Sequence, residues 1–129
     1  MSPFLRTALV FLGAGIGGSL RYWIGLAVAA RTAGFPWGTF AINVSGSLLI
    51  GLAMGIITRT GANDGWRLLL VVGLLGGYTT FSSFSYEILS LLRERSVVPA
   101  LGYAFGSVIL GLMAAGLGLW LSELVGKGG

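Results

Sequence analysis

The third apolar segment of the chain carries an unusual concentration of side chains that could bind a small ion. Between Thr79 and Tyr86, Phe81 and Phe84 alternate with six hydroxyl residues. These are Thr79, Thr80, Ser82, Ser83, Ser85 and Tyr86. Hydroxyls are neutral donors that can replace water around an anion, and a lipid-facing helix gains nothing from so many of them. The run therefore indicates a polar cavity or pathway at membrane depth.

Adjacent glycines, Gly76 and Gly77, precede Thr79 and Thr80. This order predicts a break in the helix, and irregular backbone at membrane depth must be buried in protein or line a polar cavity. Freed carbonyls at such a break could coordinate a cation. The alternative is a kinked helix whose Ser and Thr side chains bond to the preceding turn.

Phe81 and Phe84 are three residues apart, so they share one helix face. Packing is the ordinary interpretation of such a pair. The functional interpretation is that the positive ring edges turn toward a pore and hold an anion without a formal charge. A cation would prefer the ring faces.

Polar side chains on the second and fourth segments could extend this pathway. Asn43 lies in the middle of the second segment, where its amide either makes an interhelical hydrogen bond or donates to a passing anion. Tyr103 and Ser107 are four residues apart on the fourth segment and form a short polar row about 6 Å long. Gly111, the next position on that face, offers no side chain.

Two charged residues lie inside or at the ends of apolar segments. Arg21, within the first segment, either faces a cavity or a partner, or extends to the membrane interface. Glu87, at the far end of the hydroxyl run, has the same ambiguity.

The inventory of reactive side chains argues against an enzyme. The 129 residues include no cysteine, no histidine and four acidic residues, so the usual nucleophiles, bases and metal ligands are scarce. The eight basic residues form no stripe and match no nucleic-acid motif. They either anchor the chain to anionic lipid or attract an anionic substrate.

The elements that must position these residues are membrane spans. Only 9% of the residues are charged and 55% are hydrophobic, which excludes an ordinary soluble domain. We expect one all-α, four-helix transmembrane domain over residues 1–129, in the inner or plasma membrane. The predicted helices cover residues 4–30, 38–57, 67–92 and 98–121. Three GxxxG pairs predict close helix packing: Gly13/Gly17, Gly51/Gly55 and Gly102/Gly106.

The loop charges give no preferred orientation under the positive-inside rule. One side of the membrane would carry Arg6, Arg59, Arg67 and Lys127, and the other Arg31, Arg93 and Arg95. A chain with so flat a balance can insert both ways, so we expect an antiparallel, dual-topology homodimer surrounded by membrane lipid. A pathway would form more naturally between two such small chains than inside one.

Three segments of the sequence resemble the signature segments of the Fluc/CrcB fluoride channels. They are GAGIGGSLRYWIG (13–25), WGTFAINVSGSLLIG (37–51) and GLLGGYTTFSSFSYE (73–87), and the last is the most specific. The resemblance covers almost the whole chain. It implies an antiparallel homodimer with two fluoride pores, a broken third helix and one central structural sodium ion.

The resemblance also implies roles for individual residues. Phe81 and Phe84 match the phenylalanines that line the pores, and Asn43 matches the pore asparagine. Tyr103 and Ser107 match a polar track, with Thr80, Ser82 and Ser83 as further pore hydroxyls. Gly76 and Thr79 match the positions whose backbone carbonyls hold sodium. Arg21 matches an arginine of the aqueous vestibule, and Glu87 an acidic position beside the pore. Gly111 departs from the pattern, because the track would continue there with a hydroxyl; Ser83 replaces a threonine and keeps the hydroxyl.

The sequence thus favours passive, fluoride-selective conduction used for export. The main alternative is a proton-coupled exporter like the small multidrug resistance proteins, which are also four-helix, dual-topology dimers. Those proteins depend on a glutamate in the first helix, and the first segment here contains no acidic residue. A membrane scaffold would explain the glycines but not the hydroxyl run.

Overall fold

The chain is all-helical, as the sequence predicts. The computed structural model describes residues 1–125, so Lys127 of the charge count lies outside the described residues. Four helical spans in this part of the chain are long and apolar enough to cross a membrane. They are Pro3–Ala29 (α1), Trp37–Thr60 (α2), Asp64–Arg93, and Val97–Val125 (α6). The coarse architecture is therefore that of a multi-pass membrane protein.

Local sequence signals set several helix ends. The Ser2 hydroxyl accepts a hydrogen bond from the amide of Leu5 at 3.2 Å and caps α1, with Pro3 in the first turn. α2 ends where Gly61 takes a left-handed backbone with φ of 61°. α6 continues to Val125, four residues past the expected end at residue 121. Within this extra turn Ser122 is buried and packs against Gly55 of α2.

The third span is not one regular α-helix. It consists of a short turn, Asp64–Trp66 (α3), a π-helix over Arg67–Leu75, a second short turn, Gly76–Tyr78 (α4), and Phe81–Arg93 (α5). Between the last two, Thr79 and Thr80 have extended backbones, with ψ of 159° and 124°. The π-helix differs from the expected α-helical segment, and the apolar run RLLLVVGLL carries no signal that distinguishes the two forms.

Glycines allow two pairs of helices to pack with their backbones in contact. α1 packs mainly against the π-helix, and α2 packs mainly against α6. A Cβ atom on Gly17 would overlap the carbonyl oxygen of Leu74, and one on Gly51 would overlap that of Ala115. Such close approach is the usual role of small residues in membrane helices.

The third GxxxG pair does not behave like the other two. At Gly102 and Gly106, a Cβ atom would meet no other heavy atom of the described residues within 4 Å. The expected close helix packing therefore occurs at two of the three pairs, and among residues 1–125 no other helix approaches this part of α6 closely.

We predict that Gly17→Ala and Gly51→Ala each lower the stability of the purified protein in detergent. Each added methyl group must displace a backbone carbonyl, a change that costs about 1–3 kcal/mol. Gly15→Ala is the matched control, because its Cβ atom would meet no heavy atom within 4 Å. A lower melting temperature for the first two variants and not for Gly15→Ala is the expected result. Equal melting temperatures for all three would contradict the packing described here.

Candidate functional site

The side chain of Asn43 joins α2 to the extended residues of the third span. Its Oδ1 accepts from the Thr80 amide at 2.9 Å, and its Nδ2 donates to the Thr80 carbonyl at 3.0 Å. The amide group thus satisfies both backbone groups of a residue that lies outside a helix. Asn43 makes the interhelical bonds that were one of its two expected roles. Because a side-chain amide has two N–H groups, one remains for another acceptor.

Thr80 caps the start of α5, which begins at Phe81. The Thr80 hydroxyl accepts from the Ser83 amide at 3.2 Å, the arrangement of a helix N-cap. The Thr79 hydroxyl donates to the Leu75 carbonyl at 2.9 Å, which is the back-bonding that the alternative interpretation predicts. Thr79 thus follows the end of α4 with its hydroxyl bonded to the preceding turn, and Thr80 caps the start of α5.

Gly76 and Thr79 have lost the amides that would bond their carbonyls in a continuous helix. Those donors would be the amides of Thr80 and Ser83, four residues further on. The first donates to Asn43 and the second to the Thr80 hydroxyl. Gly76 is also exposed on the surface of the chain. The two carbonyls are therefore available as oxygen ligands, the chemistry that a hard cation requires.

A cavity of about 350 Å³ lies beside these residues. α2, the third span and α6 each contribute to its walls, so the site predicted from three separate segments comes together here. The lining includes Asn43, Ser47, Gly76, Thr79, Thr80, Phe81, Phe84 and Ser107. The remaining lining residues are Gly46 and the aliphatic side chains of Ile50, Val71, Leu75 and Val108.

The two phenylalanines share the cavity but differ in environment. Their ring centroids are 6.1 Å apart. Phe84 is half-buried and packs on Tyr103, with centroids 5.0 Å apart. Phe81 is 80% exposed. Phe84 thus has a packing role within the chain, whereas intrachain packing does not account for Phe81.

Glu87 accepts two hydrogen bonds from hydroxyls of neighbouring helices. Tyr103 donates to its Oε2 at 2.6 Å, and Thr39 donates to its Oε1 at 2.7 Å. Tyr103 is fully buried, and Phe35 stacks edge-on against its ring at 5.3 Å. The carboxylate is therefore held in place, and in this arrangement neither hydroxyl is free to donate to an anion.

A second cavity, of about 410 Å³, has both Glu87 and Thr39 in its lining. Asn43 and Phe84, one turn away on the same helices, line the first cavity. The two cavities therefore adjoin neighbouring turns of α2 and α5, and Glu87 belongs to the lining of the second.

Ser107 carries the unsatisfied donor of the site. Its Oγ atom is buried and has no hydrogen-bond partner among residues 1–125. Buried polar atoms are nearly always paired, so an exception calls for an explanation such as a bound ligand or ion. Ser107 is one of the residues that line the cavity together with Phe81 and Phe84.

Four of the predicted residues line neither cavity: Arg21, Ser82, Ser83 and Tyr103, the last of which is bonded to Glu87. Arg21 donates from Nε to the Gly77 carbonyl at 3.2 Å and lines neither cavity. Ser82 is exposed, with its hydroxyl 3.4 Å from that of Thr80, and the Ser83 side chain is half-buried. Their roles as vestibule and pore residues stay predictions.

Sequence reasoning missed Thr39, which binds Glu87 as closely as Tyr103 does. The spacing of polar residues in the sequence could have identified it. Thr39 precedes Asn43 by four residues, so the two lie on the same face of α2, as Tyr103 and Ser107 do on α6.

Comparisons with known proteins agree with this picture. The family model described as CrcB-like protein, Camphor Resistance (CrcB), matches residues 8–119. A protein of Thermus thermophilus named fluoride-specific ion channel FluC is 50% identical over 123 residues, which are 94% of this chain and 98% of the relative. A protein of the same name from Phocaeicola vulgatus is 45% identical over 116 residues, which are 89% of this chain and 96% of the relative. One from Chloroflexus aurantiacus, again of that name, is 51% identical over 117 residues, covering 86% of this chain and 93% of the relative. With a match over most of its length, the chain belongs to the CrcB-like family.

Proposed function

We propose that this protein is a fluoride-selective channel that exports fluoride passively across the membrane. The relatives described above carry the name of that activity. Within the chain, the proposal rests on the buried, unpaired hydroxyl of Ser107 beside a cavity lined by Phe81, Phe84 and Asn43. This combination suits a small anion that accepts strong hydrogen bonds, and it is a channel's site rather than an enzyme's.

The chemistry of the cavity suits dehydration of fluoride. The ion is small and holds water tightly, so a pathway must replace those water contacts with protein donors. Ser107 has a free hydroxyl, and Asn43 keeps one N–H beyond its bond to Thr80. Hydrogen bonds to a charged partner contribute about 1.5–3 kcal/mol each, roughly twice the contribution of neutral ones.

The phenylalanines supply discrimination without a fixed positive charge. A lysine or arginine in this cavity would hold fluoride too strongly for rapid release. An aromatic edge carries only partial positive charge. We propose that Phe81 and Phe84 bind the ion in this way and that the passage they line in the assembled channel is narrow enough to exclude the larger chloride ion.

The direction of transport follows from general chemistry. Hydrogen fluoride is a weak acid that crosses membranes in its neutral form and dissociates inside. A negative interior then drives the anion outward with about 2.3 kcal/mol per charge per 100 mV. No nucleotide is required, and the sequence contains no GxxxxGK[ST] motif.

We propose further that the working unit is an antiparallel homodimer with two pores. Three observations support a second copy: the loop charges are balanced, Phe81 is 80% exposed beside the cavity, and Gly102 and Gly106 leave a face of α6 uncovered. The exposed backbone at Gly76 adds a physical argument. A carbonyl without a helical donor is costly in lipid, so protein or an ion must cover it.

We also propose that a structural sodium ion binds to this backbone at the centre of the dimer. The carbonyls of Gly76 and Thr79 would hold it, since their helical donors bond elsewhere. Two copies would double this ligand set around one ion. When bound, sodium would neutralise carbonyl dipoles that face one another across the interface. The proposal for Glu87 is a positioning role, in which its carboxylate fixes the hydroxyls of Tyr103 and Thr39.

The first experiment measures anion efflux from liposomes that contain the purified protein. With valinomycin to balance charge and no pH gradient, we expect rapid fluoride release and chloride release slower by at least about 100-fold, a difference of about 2.7 kcal/mol in barrier height. Protein-free liposomes provide the background. Equal release of the two anions would refute selectivity, and release that requires a proton gradient would favour the coupled exporter instead.

A second prediction tests the aromatic side chains. Phe81→Ile and Phe84→Ile keep apolar bulk but remove the ring edge, so fluoride efflux should fall at least about 100-fold, equivalent to about 2.7 kcal/mol. Phe11→Ile is the matched control, because Phe11 is 75% exposed on α1, away from the cavity. If the Phe81→Ile and Phe84→Ile proteins elute from a size-exclusion column as the wild type does and release fluoride at the wild-type rate, the proposed role of the phenylalanines is wrong.

A third prediction concerns sodium. The protein is stripped of sodium and studied with a large organic cation in its place. We expect the melting temperature and the fluoride efflux to fall together, because the facing carbonyls lose the cation that they coordinate. Fluoride flux should carry no sodium. Unchanged stability and flux in rigorously sodium-free solution would rule out the structural ion and leave the channel assignment intact.

A further inference from the structure

The polar row on α6 stops after two residues. Tyr103 and Ser107 are one turn apart, and the next position on that face is Gly111. Four residues of an α-helix rise about 6 Å. An anion that leaves Ser107 in this direction would therefore meet no side-chain donor from α6 for at least that distance.

A hydroxyl from α2 lies beside the place that a Gly111 side chain would take. A Cβ atom on Gly111 would lie 3.5 Å from the Oγ of Ser47, and it would meet no other heavy atom of the described residues outside its own helix within 4 Å. Ser47 lines the same cavity as Ser107. It also follows Asn43 by one turn, so the two lie on one face of α2.

The Ser47 hydroxyl is available to an ion. In this structure it donates to the Asn43 carbonyl at 2.8 Å. That carbonyl lies inside α2, where the amide four residues on is its regular partner. Rotation of the hydroxyl would therefore leave no unpaired acceptor behind. A serine hydroxyl that is bonded to the backbone in this way can rotate and donate its proton to another acceptor.

We propose that Ser47 binds the conducted anion and supplies, from α2, the hydroxyl that α6 lacks at Gly111. The polar track of this chain then changes helix after Ser107. The inference rests on the proposed fluoride conduction and adds a residue to the same pathway. It explains why Gly111 is tolerated: the missing side chain leaves room for the ion beside Ser47.

The test compares fluoride efflux from liposomes for matched serine variants. Ser47→Ala should lower efflux at least about tenfold, the effect of losing one hydrogen bond to a charged group. Ser19→Ala is the control, because the Ser19 hydroxyl is also back-bonded, to the Gly15 carbonyl at 2.7 Å, but on an exposed part of α1. It should conduct as the wild type does.

A rescue experiment separates a binding role from a structural one. In the Ser47→Ala background, Gly111→Ser restores a hydroxyl to the same space and should recover most of the efflux. Gly111→Ala adds the carbon but no donor and should recover none. Recovery by alanine as well as by serine would mean that volume, and not hydrogen bonding, is what Ser47 contributes.

The outcomes distinguish this inference from the function on which it rests. If wild-type protein fails to conduct fluoride, the proposed function itself is wrong. If wild-type protein conducts and Ser47→Ala conducts equally well, only the role of Ser47 is overturned. Should Ser47→Ala not yield folded protein, Ser47→Cys gives the same comparison, since sulfur keeps the size but is a weak donor. Normal efflux in Ser47→Cys would also overturn the inference.

Discussion

The paired hydrogen bonds between the Asn43 side chain and the backbone of Thr80 are the constraint on which the site depends. They satisfy an amide and a carbonyl that have left the helix, within a membrane span where lipid offers no hydrogen-bond partner. An unsatisfied group of this kind costs several kcal/mol in an apolar medium. Without the asparagine, the favourable alternative for Thr80 would be to rejoin a continuous helix. The extended backbone of Thr79 and Thr80 therefore requires a residue on a different helix.

Several features follow from that one contact. Because Thr80 is extended, its hydroxyl can cap α5 and fix the direction in which Phe81 and Phe84 leave the backbone. Because the Thr80 amide turns to Asn43, the Gly76 carbonyl loses its helical donor. The close contact of α1 with the π-helix supports the same region from the other side, where Arg21 bonds the Gly77 carbonyl. Cavity, helix start and candidate cation ligands are thus parts of one local arrangement.

The sequence predicts the elements better than the contacts between them. Long apolar runs separated by charged and glycine-rich turns are enough to predict four spans, since membrane thickness fixes their length. The π-helix was not predictable, because RLLLVVGLL has the composition of any apolar helix. The hydroxyls around Phe81 marked this segment as unusual, and the backbone is extended beside them at Thr79 and Thr80. That Thr39 and Tyr103 both bind Glu87 depends on how three helices cross, which spacing along one helix does not reveal.

The hydroxyls near the cavities suggest a physical basis for selectivity in the proposed channel. Most already have an acceptor within the protein: Thr79 bonds Leu75, Ser47 bonds Asn43, and Tyr103 bonds Glu87. An anion can use such a donor only by replacing that acceptor. The exchange is favourable for an ion that accepts hydrogen bonds more strongly than a peptide carbonyl does, and unfavourable for a weaker acceptor. Fluoride is the strongest acceptor among the halides and chloride a much weaker one. In the proposed channel, occupied donors would therefore discriminate by hydrogen-bond strength as well as by size. The Ser107 hydroxyl and the second N–H of Asn43 are the donors that an ion can use without breaking a bond within the protein.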